Sequence, residues 1–316
     1  MATTVEVIAD AMKAVGTPFI TGHPGGESVE LMDAARQRDM RFLLFKQEVA
    51  AAMMAATWGE ITGAPGICLS TRGPGASNMV NGVSYAALDR APLIAITDQY
   101  DPATYSTGMR QRLNQLAMYE PLVKWSTTIN AKSVRQQVRR ALRETTAPPP
   151  GPVHFEMPQS ETTREAGEYG GEAPLMANVV AIEPDRASLR APLDLIAKAR
   201  RPIILVGLGA LWGHASEAVT AFAEHLDAPV LTTAKCKGVI SEDHALRAGC
   251  IIGGIIERKL VSQADLIITV GLDAVELQPK AWPYSAPVLA ISATPDTDVI
   301  VPVGTEVVGP VRQILA

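Results

Sequence analysis

A chain of 316 residues, 47% hydrophobic and 19% charged, is long enough for two domains with cores of their own. Its formal net charge of -5, with Lys and Arg scattered along the chain, argues against nucleic acid as the main partner. No stretch approaches the roughly 18 apolar residues of a membrane helix, and the first residues carry neither a basic start nor an apolar signal core, so a cytoplasmic protein with no membrane partner is expected.

Residues 3–15 place apolar side chains at helical spacing, and Gly16 stops them. A short strand over 18–21, a helix over 27–38 and a strand over 41–45 follow. The next helix, 47–61, ends at the breaker cluster Thr62-Gly63-Ala64-Pro65-Gly66. Then come a buried strand over 67–71, the loop Arg72-Gly73-Pro74-Gly75, a helix to about Leu88 and a strand over 92–97. Strands over 122–129 and 153–156 flank a helix over 133–145. Short apolar runs separated by helices predict an α/β fold with a mostly parallel sheet covered on both faces.

Residues 161–183 are polar and glycine-containing, as an interdomain linker would be. Beyond them lie a helix over 186–199, a strand over 202–206, the turn Gly207-Leu208-Gly209-Ala210 and a helix ending near Leu226. Strands over 229–233, 266–270 and 288–291 complete a second, smaller doubly wound sheet of Rossmann-like character. Asp265, just before one of these strands, is expected to be a cap or turn residue.

Glu48 opens a helix whose next two turns are almost all Ala and Met. A carboxylate set against small apolar helix surface is poorly hydrated, which suits it to moving protons near neutral pH. The alternative is a first-turn acid that complements the helix dipole. The loops Thr21-Gly22-His23-Pro24-Gly25-Gly26-Glu27 and Ser70-Thr71-Arg72-Gly73-Pro74-Gly75-Ala76-Ser77-Asn78 follow strands, on the edge where open α/β sheets place ligands. Neither contains the Gly-Lys-Ser/Thr of a P-loop, and each taken alone also fits plain turn chemistry before a helix. His23 either projects into a cleft or is an exposed loop histidine. His154 is expected to be structural, and His214, His225 and His244 lack the spacing of a metal site. Cys68, Cys236 and Cys250 are far apart in apolar company, which suits buried small hydrophobes. Gly207-x-Gly209-x3-Gly213 is an imperfect dinucleotide fingerprint, and the next strand ends in Thr232-Thr233 where an acidic residue is needed, so nicotinamide binding is not expected.

Taken together, Gly22-His23-Pro24-Gly25-Gly26, Glu48 with its Ala/Met helix, the stretch from Gly66 to Asn78, Asp89-Arg90-Ala91-Pro92, Gln111 upstream of Pro121-Leu122-Val123-Lys124-Trp125, and Pro150-Gly151-Pro152-Val153-His154-Phe155 form a set. In this order and spacing they resemble the thiamin-diphosphate-dependent family of acetolactate synthase, benzoylformate decarboxylase and benzaldehyde lyase. The resemblance implies a pyrimidine-binding domain over 1–160 and a central domain over 184–316. It puts Glu48 where the family's glutamate contacts N1′ of the cofactor's aminopyrimidine. Gly73, Pro74, Gly75 and Asn78 would line the pyrimidine pocket, and His23, Gly25 and Gln111 would face the reacting carbons. Small side chains over 50–56 would let two such helices pack across a subunit interface.

The implied activity is decarboxylation or carboligation of a small 2-oxo acid, with thiamin diphosphate and Mg2+ as cofactors. In the family a further domain holds the diphosphate and the metal through Gly-Asp-Gly, which occurs nowhere in these 316 residues. The expectation is a split enzyme: a second subunit supplies that domain, in a dimer of heterodimers. The alternative is a non-catalytic regulatory or scaffold subunit. The arginine-rich flavin-binding stretch of acetolactate synthases has no counterpart at Gly271-Leu272-Asp273-Ala274-Val275-Glu276-Leu277-Gln278-Pro279, so FAD is not expected. Arg110 and Arg112 flank Gln111 where those enzymes tend to have Phe and Glu, which points away from pyruvate. These arginines either hold a second carboxylate or lie on the surface of the following helix.

Overall fold

Among the described residues, the alternation of apolar runs with helices forms two six-stranded, all-parallel sheets, one in each half of the chain. The computed structural model describes residues 2–168, 185, 187–296 and 300–316, and the chain divides into the units Met1–Asn178 and Val179–Ala316.

The first unit runs α1 (Thr4–Ala14), β1 (Phe19–His23), α2 (Val29–Arg36), β2 (Arg41–Leu44), α3 (Glu48–Thr62), β3 (Gly66–Ser70) and α4 (Pro74–Leu88). It continues with β4 (Leu93–Gln99), α5 (Gln115–Tyr119), β5 (Trp125–Thr128), α6 (Val134–Thr146), β6 (Pro152–Pro158) and α7 (Gln159–Thr162). Its strand order is β2-β1-β3-β4-β6-β5. Every residue of β3, β4 and β6 is buried, because helices cover both faces. One face packs on Ile8, Met12, Leu31, Val138 and Leu142 from α1, α2 and α6. The other packs on Ala52, Ala55, Ala56, Met79, Val83 and Tyr119 from α3, α4 and α5. Since β2 lies on one side of β1 and β3 on the other, the winding reverses between β1 and β3, which makes the crevice at their carboxyl ends a ligand position.

The small residues of α3 serve this packing within the chain. Ala51, Ala52, Ala55 and Ala56 are fully buried, and a Cβ at Gly82 of α4 would lie 2.5 Å from that of Ala52. Only Ala50 and Met54 of the expected interface stripe remain exposed. The strand expected over 122–129 is shorter, because Glu120–Leu122 forms a 3-10 turn around Pro121. The expected linker starts as packed chain: the Glu161 carboxylate accepts from Ala131 N at 2.6 Å, and Arg164 O accepts from Thr4 N at 2.9 Å. Residues 169–183 of that linker lie outside the described residues.

The second unit runs α8 (Arg190–Lys198), β7 (Pro202–Val206), α9 (Leu208–Trp212), α10 (Ser216–Leu226), β8 (Val230–Thr232) and β9 (Arg247–Cys250). It ends with α11 (Ile255–Val261), β10 (Leu266–Val270), β11 (Val288–Ser292), β12 (Val303–Val308) and α12 (Val311–Leu315). Its order is β12-β11-β10-β7-β8-β9, so this sheet has as many strands as the first and is not the smaller sheet expected. The two strands missing from the sequence reading are its edges. Arg247-Ala248-Gly249-Cys250 has no apolar run, and β12 alternates half-buried and exposed residues. Asp265 acts as a turn clip, accepting from the N–H groups of Arg200 and Arg201 at 2.9 Å each. Cys68 and Cys236 are buried as expected, whereas Cys250 on edge strand β9 is only half-buried.

Candidate active site

Glu48 is the first residue of α3 and is 8% exposed. Extended backbone at Gln47 (φ -136°, ψ 132°) swings the chain from β2 into the helix, so the carboxylate sits at the carboxyl edge of the sheet. Asn78, one turn into α4, donates Nδ2 to Glu48 Oε2. Oε1 carries no hydrogen bond among the described residues and lies beside Gly75, where a Cβ would be 3.2 Å away.

The turn that delivers α4 depends on Gly73. Its φ of 68° is in the left-handed region, and a Cβ there would lie 2.2 Å from the Gln111 carbonyl oxygen. Pro74 then supplies a first helical residue that needs no N–H partner. The Gly73 N–H donates to Gln115 Oε1 at 2.9 Å. Gln115 is fully buried, and its Nε2 is held by Thr97 Oγ1 at 3.1 Å and Asp98 O at 3.0 Å.

The loops after β1 and β3 touch. A Cβ at Gly25 would lie 2.6 Å from Thr71 Oγ1, and one at Gly75 would lie 2.8 Å from Thr71 Cγ2. Arg72 pairs with Glu27 at 2.7 Å. The fold thus groups Glu48, Gly75 and Asn78 directly, joins Gln111 to Gly73, and links Gly25 to Gly75 through Thr71. His23, the exposed last residue of β1, pairs Nδ1 with Phe45 O at 2.8 Å, just before α3. Arg112 donates to the carbonyls of Tyr105 and Ser106 at 2.8 and 3.0 Å, while Arg110 is exposed. Neither lies on the following helix, which starts at Gln115.

Sequence reasoning missed the roles of Gln115, Thr71 and the Glu27–Arg72 pair, since polar residues in loops and at a short helix start carry no periodic signal. It also missed a buried polar layer beneath the loops. Asp98 is fully buried at the end of β4 and accepts from Ser28 Oγ at 2.7–2.8 Å. Burial pushes its carboxyl up to about 7, opposed by the Ser28 bond. His154 is structural as expected: it stacks on Tyr119 at 4.0 Å and pairs with Thr97 and Ser126 at 2.9 and 2.8 Å. Burial holds its ring neutral, down to about 3.

Residues 2–118 match the family model described as "Thiamine pyrophosphate enzyme, N-terminal TPP binding domain", and 189–316 match "Thiamine pyrophosphate enzyme, central domain". This chain belongs to the thiamine pyrophosphate enzyme family. The match bears out the resemblance drawn from the motifs. Among relatives of this thiamine pyrophosphate enzyme chain, a "Probable acetolactate synthase large subunit" of Methanococcus aeolicus is 30% identical over 321 residues, covering 98% of this chain and 54% of that protein. A "Probable 2-ketoarginine decarboxylase AruI" of Pseudomonas aeruginosa is 28% identical over 280 residues, covering 86% and 49%. The chain spans about half the length of the curated relatives it matches. The benzoylformate decarboxylase structure from Polynucleobacter necessarius shares the fold, with a TM-score of 0.85 at 23% identity over 100% of this chain and 60% of that one.

The donor set around Glu48 fits an aminopyrimidine. It offers a carboxylate with one free oxygen, an amide fixing the other, and glycines that bare the backbone. No ion pair reaches Glu48 among the described residues, which leaves the carboxylate available to a ligand proton. In the central domain the Gly207 turn is occupied from within. Glu276 accepts from Leu208 N at 2.8 Å and from Thr233 Oγ1 at 2.5 Å, and burial raises its carboxyl above the ordinary range. A Cβ at Gly207 would lie 2.6 Å from Glu276 Oε2. The Leu208 N–H, at the start of this turn, is thus already paired within the chain. Among the described residues no group of His, Cys, Asp or Glu could hold a metal ion.

Proposed function

We propose that this chain forms the aminopyrimidine side of a thiamin diphosphate site and acts in decarboxylation or carboligation of a small 2-oxo acid. The carrying observation is the Glu48 carboxylate, 8% exposed, fixed at Oε2 by Asn78 and free at Oε1 beside Gly75. When bound, thiamin diphosphate supplies a carbon nucleophile and an electron sink for loss of CO2. Glu48 holds the proton shared with N1′ of the aminopyrimidine, and Asn78 sets the plane of its carboxylate. Gly73, Pro74 and Gly75 wall the pyrimidine pocket, while His23, Gly25 and Gln111 face the reacting carbons.

Diphosphate and Mg2+ are held by a second subunit carrying Gly-Asp-Gly, in a cytoplasmic dimer of heterodimers. Support comes from chemistry. A hard cation needs several oxygen ligands; no group of His, Cys, Asp or Glu among the described residues provides them, so in this reading they come from outside residues 1–316. Native mass spectrometry of the chain from its own cells, with thiamin diphosphate and Mg2+ present, tests this. The expected result is a co-purifying Gly-Asp-Gly polypeptide, with cofactor mass only in the complex. Glu48→Gln is expected to abolish turnover of 2-oxo acids and leave assembly intact. Retained turnover in that variant overturns the reading, and a cofactor-free homo-oligomer under all conditions favours a scaffold subunit.

A further inference from the structure

Three separate chain segments meet at Arg72. Its Nη1 pairs with Glu27 Oε1 at 2.7 Å, which ties the loop after β3 to the loop after β1. Its guanidinium carbon lies 4.1 Å from the centroid of the Tyr100 ring, which ties it to the segment after β4. The side chains of Arg72 and Glu27 are only 16% and 20% exposed, so their attraction is less screened than that of a surface pair. Beyond Tyr100 the linkage continues. The Tyr100 hydroxyl donates to Arg110 O at 2.6 Å, and its ring lies so close to Gly108 that a Cβ there would be 2.6 Å from Cε1. The next residue, Gln111, takes a left-handed φ of 60° and lays its carbonyl against Gly73. The path closes where it began, one residue from Arg72.

We propose that Arg72 is a positioning residue, which holds the segment bearing Gln111 against the Gly73 turn by clamping Glu27 and the Tyr100 ring together. The shape of the guanidinium explains why arginine is needed. Its guanidinium sits over the ring while Nη1 pairs with Glu27. A lysine ammonium can pair with Glu27, but it has no face to lay on Tyr100. Gln115 is not part of the clamp. It holds Gly73 from below through Thr97 and Asp98, so Gly73 stays fixed when Arg72 is lost and Gln111 alone loses its placement. The consequence for catalysis rests on the reading of Gln111 as substrate-facing. The clamp itself does not.

Hydrogen–deuterium exchange on the full chain, without cofactor, tests the clamp. In Arg72→Met, amides over 100–113 are expected to exchange about tenfold faster while β3 and β4 keep their protection. Arg72→Lys is expected to protect the segment less than the wild type, because the ring contact is gone. Exchange over 100–113 unchanged in Arg72→Met overturns the proposal. If Arg72→Met loosens the whole sheet, Glu27→Gln decides. It removes the ion pair to Arg72 and keeps the Tyr100 ring, so faster exchange confined to 100–113 supports the clamp and unchanged exchange overturns it. In the cofactor-loaded enzyme, Arg72→Met is expected to raise KM for the 2-oxo acid about tenfold more than it lowers kcat, with thiamin diphosphate affinity unchanged. Altered exchange in a chain that never binds cofactor upholds the clamp and counts against the proposed function alone.

Discussion

Asn78 donates to Glu48 across two helices, from the second turn of α4 to the first residue of α3. The bond fixes one carboxylate oxygen and leaves the other beside Gly75. Asn78→Asp replaces this donor with a second carboxylate at contact distance. Like charges there disfavour both ionised forms, so thiamin diphosphate affinity is expected to fall at least about tenfold. Asn78→Ala leaves Glu48 Oε2 unpaired at 8% exposure, a cost of about 1–3 kcal/mol in thermal unfolding. Equal cofactor affinity in wild type and Asn78→Asp, by calorimetric titration of the assembled enzyme, would remove Asn78 from the site.

Gly73 and Gly26 separate two reasons for glycine in these loops. Gly73 has φ 68° with the Gln111 carbonyl where a Cβ would go, whereas a Cβ at Gly26 meets nothing within 4 Å. Gly73→Ala is expected to cost about 2 kcal/mol or more, from left-handed strain plus backbone contact. Gly26→Ala is expected to stay within about 0.5 kcal/mol of wild type. Denaturant unfolding of both variants checks the contrast, and equal stabilities would mean that the Gly73 turn relaxes freely.

What the sequence made legible follows from these contacts. The α/β alternation, and β7 and β10 to the residue, were readable because buried strands are apolar runs and helix starts carry glycine and proline, whereas Asn78 was named only through the family resemblance. The edge strands β9 and β12 were not, since a half-exposed edge needs no apolar run. Gln115 and Arg72 were invisible for another reason. Each works through partners 17 to 45 residues away in sequence, and nothing local marks them. The Ala stripe of α3 was legible as close packing, and within the chain the neighbour it meets is Gly82 of α4.

The central domain offers a prediction about what it refuses. Glu276 fills the Gly207 turn with a carboxyl group of its own. Titration of the chain with NAD or FAD is expected to show no protection of residues 207–213 in hydrogen exchange. Glu276→Ala strands the Leu208 N–H and the Thr233 hydroxyl, at about 1–3 kcal/mol of stability. Protection of 207–213 by either dinucleotide in the wild type would show that Glu276 swings out.

Asp98 gives the first unit a pH dependence whose sign can be worked out. Burial raises its carboxyl from 3.8 to about 7, with Glu27 and Glu30 adding to the rise and Ser28 and Arg72 opposing it. The folded state therefore binds the proton more tightly than the unfolded chain. The stability from this group is fully present below about pH 4 and is lost as pH rises through about 7. The full shift corresponds to at most about 4 kcal/mol. Asp98→Asn cannot ionise and keeps an acceptor for Ser28, so it should lose this dependence. Thermal unfolding from about pH 5 to about pH 8.5 is expected to show the wild type falling relative to Asp98→Asn. Because Ser28 and Glu27 belong to the loop that carries Gly25, the same ionisation is expected to loosen residues 24–28 in hydrogen exchange at the alkaline end. Parallel stability curves for the two proteins would mean that Asp98 is already ionised at the acid end and balanced by Arg72.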